Sequence, residues 1–303
     1  MITLPLYWGP GRFGAPIVLV ATTGGNNKTS DVVGMSVIPL ETWHEVRATS
    51  PGKEAHQAYF YSVSGRIKGQ RFKDRSEHAK VRSVCPLSCK HLQDGRCYVQ
   101  DNYQNASNVA ATVYHSEPLP AVWTADMMKQ AARRLFMVAK MLGLDFVRFM
   151  FAGDTAALPV AVWDILEAEL LAASMKTLAY THDLTATWLR QTHMASCDTP
   201  QERAAAEADG WRVFEVRDLK AGEAWPDDLV MCPSSKEAEA KRGKKTPCNA
   251  CGLCNGAQSS AKSIGIVRHA SGDSGRFAAT ARKLGGVWDI KTDGGRHVGT
   301  IYA

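Results

Sequence analysis

Between residues 124 and 231 the apolar positions alternate between a helical rhythm and short continuous runs, which predicts helices interleaved with buried strands. Thr124 stands where it can cap a helix carrying Met128, Ala131, Leu135, Val138 and Leu142 at helical spacing and ending at Gly143. The apolar run 146–151 then reads as a buried strand. Pro159 sits where a first helical turn accepts proline, and Val162, Ile165, Leu166 and Leu170 continue that helix towards a strand at 177–180. The alternation recurs as a helix around 185–191, a strand at 193–196, a helix over 201–209 stopped by Gly210, a strand at 211–216 and a short strand at 229–231.

Strands alternating with helices imply right-handed βαβ units and a parallel sheet, open or closed into a barrel. In such sheets the chemistry lies beyond the carboxyl ends of the strands. Polar residues fall at those places: Gly153-Asp154, Tyr180-Thr181-His182, Ser196-Cys197-Asp198 and Cys232. Each is also ordinary turn chemistry. Their recurrence at successive strand ends marks Asp154, Tyr180, His182 and Asp198 as candidates to line a substrate, with His182 a candidate acid or base. Before residue 115, strands are expected at 17–21, 33–37 and 58–63 among many Gly, Asn and Ser, in no assignable order. Towards the C-terminus, strands at 264–268, 287–290 and 298–302 and a helix at 276–284 predict a small α+β extension. The expected division is therefore 1–256, an α/β domain carrying all the clustered cysteines, and 257–303 packed on it.

Composition narrows the class. A chain of 303 residues with 45% hydrophobic content can bury a sizeable core, which excludes disordered and fibrous classes. It has no apolar run long enough for a membrane span, and Met1-Ile2-Thr3-Leu4-Pro5 lacks the basic start and apolar stretch of a secretory signal, so a soluble, cytoplasmic protein is expected. The net charge of +6 is concentrated in runs at 66–75 and 236–245, which suit phosphate neutralisation or a solvated loop. Thr22-Thr23-Gly24-Gly25-Asn26-Asn27-Lys28 is glycine-rich without the spacing of a phosphate loop, which leaves Lys28 as a contact for a carboxylate or phosphate.

Cysteine spacing changes the picture most. Eight cysteines in close groups, in a reducing compartment, point to metal ligation rather than disulfides. Cys232-Pro233 is followed, with fifteen residues between Cys232 and Cys248, by Cys248-Asn249-Ala250-Cys251-Gly252-Leu253-Cys254. A C-x2-C-x2-C loop with a remote cysteine before proline is the ligand pattern of a 4Fe–4S cluster, with zinc the competing metal. Four thiolates leave no open position, so this cluster is expected to be structural or electron-transferring. Cys85-Pro86-Leu87-Ser88-Cys89 precedes Cys97-Tyr98 with seven residues between Cys89 and Cys97. Three thiolates on a 4Fe–4S cube leave one iron open to substrate; a zinc site completed by His78 or His91 is the alternative, as are free thiols. Cys197 stands apart and reads as a small buried residue rather than a nucleophile.

With the cysteines placed, the sequence resembles a group of phage-encoded iron–sulfur proteins with a radical-S-adenosylmethionine-like barrel. The matching features are Asn26-Asn27-Lys28-Thr29, Cys85…Cys89…Gly95-Arg96-Cys97-Tyr98-Val99, Val147-Arg148-Phe149…Gly153-Asp154, Ala179-Tyr180-Thr181 and Cys232-Pro233…Cys248…Cys251-Gly252-Leu253-Cys254, spanning residues 22–256. Radical S-adenosylmethionine enzymes usually space their three cysteines C-x3-C-x2-C with an aromatic beside the last; the first gap and Tyr98 agree, and the gap of seven departs.

The resemblance implies a complete or partial (β/α) barrel holding two 4Fe–4S clusters, with Gly153-Asp154 placed to contact S-adenosylmethionine. Some such relatives are associated with hypermodified thymine in phage DNA. The implied activity is rearrangement or other modification of a nucleobase substituent, in phage DNA or a nucleotide, within the cytoplasm of an infected bacterial host and without a membrane partner. A target base in duplex DNA would have to be extruded. The reading from another class is a zinc-stabilised nucleic-acid-binding protein without catalysis.

Overall fold

In the first of two five-stranded sheets, β1 (Thr3–Pro10), β2 (Pro16–Thr23) and β3 (Val33–Pro39) run antiparallel in sequence order. The structure, a computed structural model, describes residues 2–24, 31–49, 54–55, 57–59, 84–86, 88–89, 103–149, 151–217, 224–244, 246–258, 260–267, 287–291 and 297–302. These divide into two units. The first comprises the described residues up to Thr177 together with Thr181–Trp188; the second comprises Leu178–Tyr180 and those from Leu189 onward.

Strand β2 is an unbroken apolar run from Ile17 to Ala21, every residue fully buried, as expected of a strand covered on both faces. Strand β1 escaped the sequence reading because Pro5 interrupts it. The structure puts β1 at the sheet edge, where proline is tolerated, with a register shift between Pro5 and Tyr7. Beyond β3 the sheet continues through β4 (Phe146–Arg148), parallel to β3, to β5 (Lys176–Leu178). Strand β4 is shorter than the expected 146–151. Residues 57–59 are helical, against the expected strand at 58–63, whose remaining positions lie outside the described residues.

On β2 and β3, α1 (Leu40–Arg47) and α2 (Tyr103–His115) help close a core of Val18, Val20, Ile38, Trp43, Val46, Tyr59, Val109 and Val113. Helix α3 (Ala125–Met141) starts as expected: Thr124 Oγ1 accepts the Met127 N–H at 3.2 Å. Its buried stripe is Met128, Ala132, Leu135, Phe136 and Ala139; Leu142, expected inside, is 57% exposed. Helix α4 (Val160–Ala172) follows Pro159 and buries Val162, Trp163, Leu166 and Leu170. Arg133 of α3 grips Glu169 of α4 through two bonds of 2.8 and 2.9 Å.

The second sheet has the order β6-β7-β8-β10-β9, with β6 (Tyr180–Thr181), β7 (Met194–Cys197), β8 (Val213–Arg217), β9 (Val230–Met231) and β10 (Ile264–Val267). The pairs β7–β8, β8–β10 and β10–β9 are parallel. Helix α5 (Pro200–Ala208) connects β7 to β8, and α6 (Lys236–Arg242) with the single turn α7 (Cys248–Cys251) connects β9 to β10.

Three sequence expectations change here. The strand expected at 177–180 is broken at Ala179 and its two parts belong to different sheets. The helix expected at 185–191 is a 3-10 turn at Thr187–Leu189, because Asp183 Oδ1 takes both the N–H and the hydroxyl of Thr185 and sets a tight turn first. The segment 264–267, expected in a C-terminal extension, inserts between β8 and β9; β11 (Val287–Lys291) and β12 (His297–Tyr302) form a separate antiparallel pair, while the helix expected at 276–284 lies outside the described residues. The architecture is α/β. Among the described residues neither sheet closes on itself, and no helix is long and apolar enough to cross a membrane.

Thr199 caps α5 with Pro200 in its first turn; its Oγ1 accepts the Glu202 N–H at 3.2 Å, and Glu202 Oε2 accepts the Asp198 N–H at 2.8 Å. Thr199→Ala is expected to lower stability by about 1 kcal/mol in urea titrations, with faster amide exchange at Glu202.

Candidate functional site

In the first unit the chain leaves β4 and runs on beside β3, where Phe151 N–H donates to Met35 O at 3.0 Å and Val37 N–H donates to Ala152 O at 2.9 Å. This close approach dictates Gly153: φ is +76°, and a Cβ there would lie 2.3 Å from the Val37 carbonyl oxygen.

Asp154 follows, 4% exposed. Its Oδ1 accepts from Ala156 N–H at 2.9 Å and from the Thr181 hydroxyl at 2.8 Å, and its Oδ2 accepts the His182 N–H at 2.9 Å. The same oxygen lies 3.9 Å from His182 Nδ1. Asp154 N–H donates to Val84 O at 2.7 Å. Burial pushes this carboxyl up, but His182 and the backbone donors outweigh it and hold it below the ordinary carboxylate range, so it is ionised.

Val84 leads into the first cysteine group. The side chains of Cys85 and Cys89 pack against each other, and the Ser88 hydroxyl donates to His182 O at 3.0 Å. Burial depresses the His182 imidazole, while the neighbouring Asp154 and Cys89 overcome that and raise it to about 10. The cysteine turn, Asp154 and His182 are thus one assembly. Beside it stands an element the sequence reading missed. Arg12 Nη1 bonds Ala156 O at 2.8 Å and Asp183 Oδ2 at 3.1 Å, and its guanidinium lies over Trp188 at 4.5 Å from the ring centroid. Arg12 and Asp183 are 171 positions apart, so no local pattern announces the pair.

The other expected residues are placed elsewhere or not described. Tyr180 and Asp198 belong to the second unit: the Tyr180 ring tilts against Phe214 with centroids 4.5 Å apart, and Asp198 precedes the cap of α5. Lys28, Cys97 with Tyr98, and the basic run 66–75 lie outside the described residues.

In the second unit Cys232 follows β9, is 5% exposed, and donates its N–H to Gly265 O at 2.7 Å. The triplet Cys248, Cys251 and Cys254 is organised separately. Cys248 and Cys251 sit on α7, where burial pushes the Cys251 thiol up, with Cys248 nearby adding to the rise and the Leu253 N–H opposing it. Arg212, immediately before β8, fastens the following loop with bonds to Leu253 O (3.0 Å), Asn255 Oδ1 (3.1 Å), Gly256 O (3.0 Å), Ala261 O (2.8 Å) and Lys262 O (3.1 Å). Gly256 lies so close to the segment before β7 that a Cβ would meet Arg190 O, Gln191 O and His193 N at 2.7 Å.

The triplet's loop is therefore tied to the amino ends of β7 and β8, whereas Cys232 follows the carboxyl end of β9. A parallel crossover returns the chain to the end from which each strand starts, and α6 performs that return between Cys232 and the triplet. Among the described residues no group of three or more His, Cys, Asp or Glu side chains is arranged to hold a metal ion, and none of the seven described cysteines forms a disulfide. The donor chemistry, with Cys85 packed on Cys89 and Cys248 beside Cys251, is that of thiolate ligation.

Cys197, at the end of β7, is 1% exposed; burial, reinforced by the carboxylates of Glu202, Asp198, Glu215 and Glu207, pushes its thiol up to about 12. Nearby, fully buried Glu215 stands 3.2 Å from Arg203 Nε and 3.3 Å from Arg217 Nη1, an ion network joining α5 to β8. No family model, no curated protein and no solved structure matches this chain.

Gly153→Ala combines a left-handed backbone with a collision against β3 and is expected to cost on the order of 3 kcal/mol in chemical denaturation, since each effect alone costs roughly 1–3 kcal/mol. Arg212→Lys leaves most of the five acceptors without their donor; a loss of about 2–4 kcal/mol and faster hydrogen exchange over 253–262 are expected.

Proposed function

We propose that this protein is an iron–sulfur enzyme of radical-S-adenosylmethionine-like type, with a partial barrel, that rearranges or otherwise modifies a nucleobase substituent in phage DNA or a nucleotide. The observation that carries this reading is the convergence of Cys85 and Cys89 with His182 and Asp154 in the first unit. Cys85, Cys89 and Cys97 are the proposed ligands of the reactive cluster. A 4Fe–4S cluster so held supplies an electron to S-adenosylmethionine or an open iron as a Lewis acid.

The chain's own contribution is positional. Asp154 ties the cysteine turn to the Thr181–His182 turn, and His182 stands beside Cys89 as a group able to hold or release a proton. Tyr180 and Asp198 are proposed as substrate contacts from their strand-end positions alone, Lys28 from the sequence alone, and the basic run that includes α6 as a support for a phosphate backbone. The second cluster, at Cys232, Cys248, Cys251 and Cys254, rests on spacing alone. The parallel strands β7–β10 with intervening helices support the barrel-like reading.

Anaerobically purified protein is expected to be brown, to absorb near ~400 nm and to carry about eight irons per chain, falling to about four in Cys89→Ala. Incubation with reductant and S-adenosylmethionine should release 5′-deoxyadenosine; intact clusters without that product would leave only the Lewis-acid form. A colourless protein with stoichiometric zinc would overturn the proposal in favour of a zinc-stabilised nucleic-acid-binding protein.

A further inference from the structure

We infer that Arg12 is an oxyanion-binding residue, the Nε–Nη2 edge of its guanidinium being a preset fork for the carboxylate or phosphate of the molecule that enters the site of the first unit. That this molecule is a thymidine nucleotide or S-adenosylmethionine rests on the proposed function; the fork does not.

Arg12 lies in the turn between β1 and β2, and its N–H pins that turn to the segment after Asp154 by donating to Ala157 O at 2.8 Å. The side chain is then fixed through one nitrogen. Nη1 donates to Ala156 O at 2.8 Å and to Asp183 Oδ2 at 3.1 Å, so its acceptors come from the two segments that Asp154 also joins. Asp183 is itself immobile, because its Oδ1 accepts both the N–H and the hydroxyl of Thr185. The guanidinium lies over the Trp188 ring at 4.5 Å from the centroid, with the Phe13 ring centroid at 5.6 Å. A group held by two acceptors and an aromatic face keeps its orientation before any ligand arrives, which lowers the ordering cost of binding.

Nη1 thereby uses both of its hydrogens, and among the described residues Nε and Nη2 donate to nothing. These two nitrogens form the edge that meets both oxygens of a carboxylate or phosphate in parallel bonds. The same edge is occupied in Arg133, where Nε and Nη2 grip the two oxygens of Glu169 at 2.8 and 2.9 Å. Asp183 does not occupy it in Arg12. The Asp183 side chain is 9% exposed and that of Arg12 28%, so the carboxylate of this pair is shut away while the guanidinium reaches solvent. A second donor adjoins the first: Trp188 Nε1, in the ring under the guanidinium, is buried and makes no hydrogen bond. Buried N–H groups without an acceptor are uncommon in folded proteins, and a bound oxyanion brings acceptors to this one. Ala156 stands two residues after Asp154, and Asp183 directly follows His182. An anion on the fork is therefore anchored beside the assembly of Asp154, His182 and the cysteine turn, where binding energy from a non-reacting group can orient the rest of the molecule.

The test is calorimetric binding to the anaerobic holoprotein with two pairs of probes that differ by the anion: thymidine monophosphate against thymidine, and S-adenosylmethionine against its decarboxylated form. In at least one pair the anion-bearing member should bind about ten- to a hundredfold more tightly. That preference should collapse in Arg12→Gln and in Arg12→Lys, which keeps a charge without the fork. The pair that behaves so identifies the source of the oxyanion. An arginine with a structural role alone would weaken both members of a pair alike, so a preference that survives either substitution overturns the inference, as does wild-type protein with no preference in either pair. Should those variants not fold, protein carrying 15N-labelled tryptophan decides. The Trp188 Nε1–H resonance, identified as the one lost in Trp188→Phe, should move with an anion-bearing probe and not with its counterpart; a resonance that moves with none overturns the inference. Protein that binds no iron, yet prefers thymidine monophosphate in an Arg12-dependent way, upholds the fork and overturns the iron–sulfur reading instead.

Discussion

A carboxylate removed from water is stable only when its oxygens are satisfied, and Asp154 is satisfied by donors from its own turn and from Thr181 and His182. None of these partners can be withdrawn without leaving a buried charge short of a bond. The constraint propagates outward. Asp154 reaches its place only because Gly153 lets the chain lie against Val37, and from there its own N–H holds the segment entering the cysteine turn. The candidate site of the first unit thus extends the backbone pairing along β3, through bonds at Met35, Val37 and Val84.

Arg212 plays the corresponding part in the second unit, with the sign reversed. A cation buried before β8 collects four backbone carbonyls and one amide oxygen, and the loop that carries Cys254 takes its shape from that cation. Consequently the triplet is fastened to the starting ends of the strands. Cys232, by contrast, belongs to the finishing end of β9. Spacing of the C-x2-C-x2-C kind describes what one loop can wrap; it does not describe where a crossover helix delivers the next loop.

The helical and strand rhythm after residue 124 was legible because each element is amphipathic or fully apolar and bounded by a cap or a glycine. Thr124 and Pro159 act at helix starts, and Gly143 and Gly210 take positive φ at helix ends. What went wrong was local competition or long-range packing. In α3 several apolar residues lie on adjacent stripes, and only contact with the sheet selects Ala132, Phe136 and Ala139 over Ala131, Val138 and Leu142. The Asp183–Thr185 turn displaced a helix, and Pro5 hid a strand whose edge position makes proline harmless.

From its sequence alone the protein is an α/β chain with grouped cysteines and polar residues at strand ends, because periodicity, caps and ligand spacing are properties of neighbours in the chain. Tertiary structure decided which of those residues meet. Asp154 and His182 come together with the Cys85–Cys89 turn because a buried carboxylate draws donors from separate segments, and Arg12 joins Asp183 across 171 positions. The loop of Cys254 is placed for an equally physical reason: Arg212, distant in the chain, gathers acceptors from residues 253–262 that would otherwise lose water without a partner.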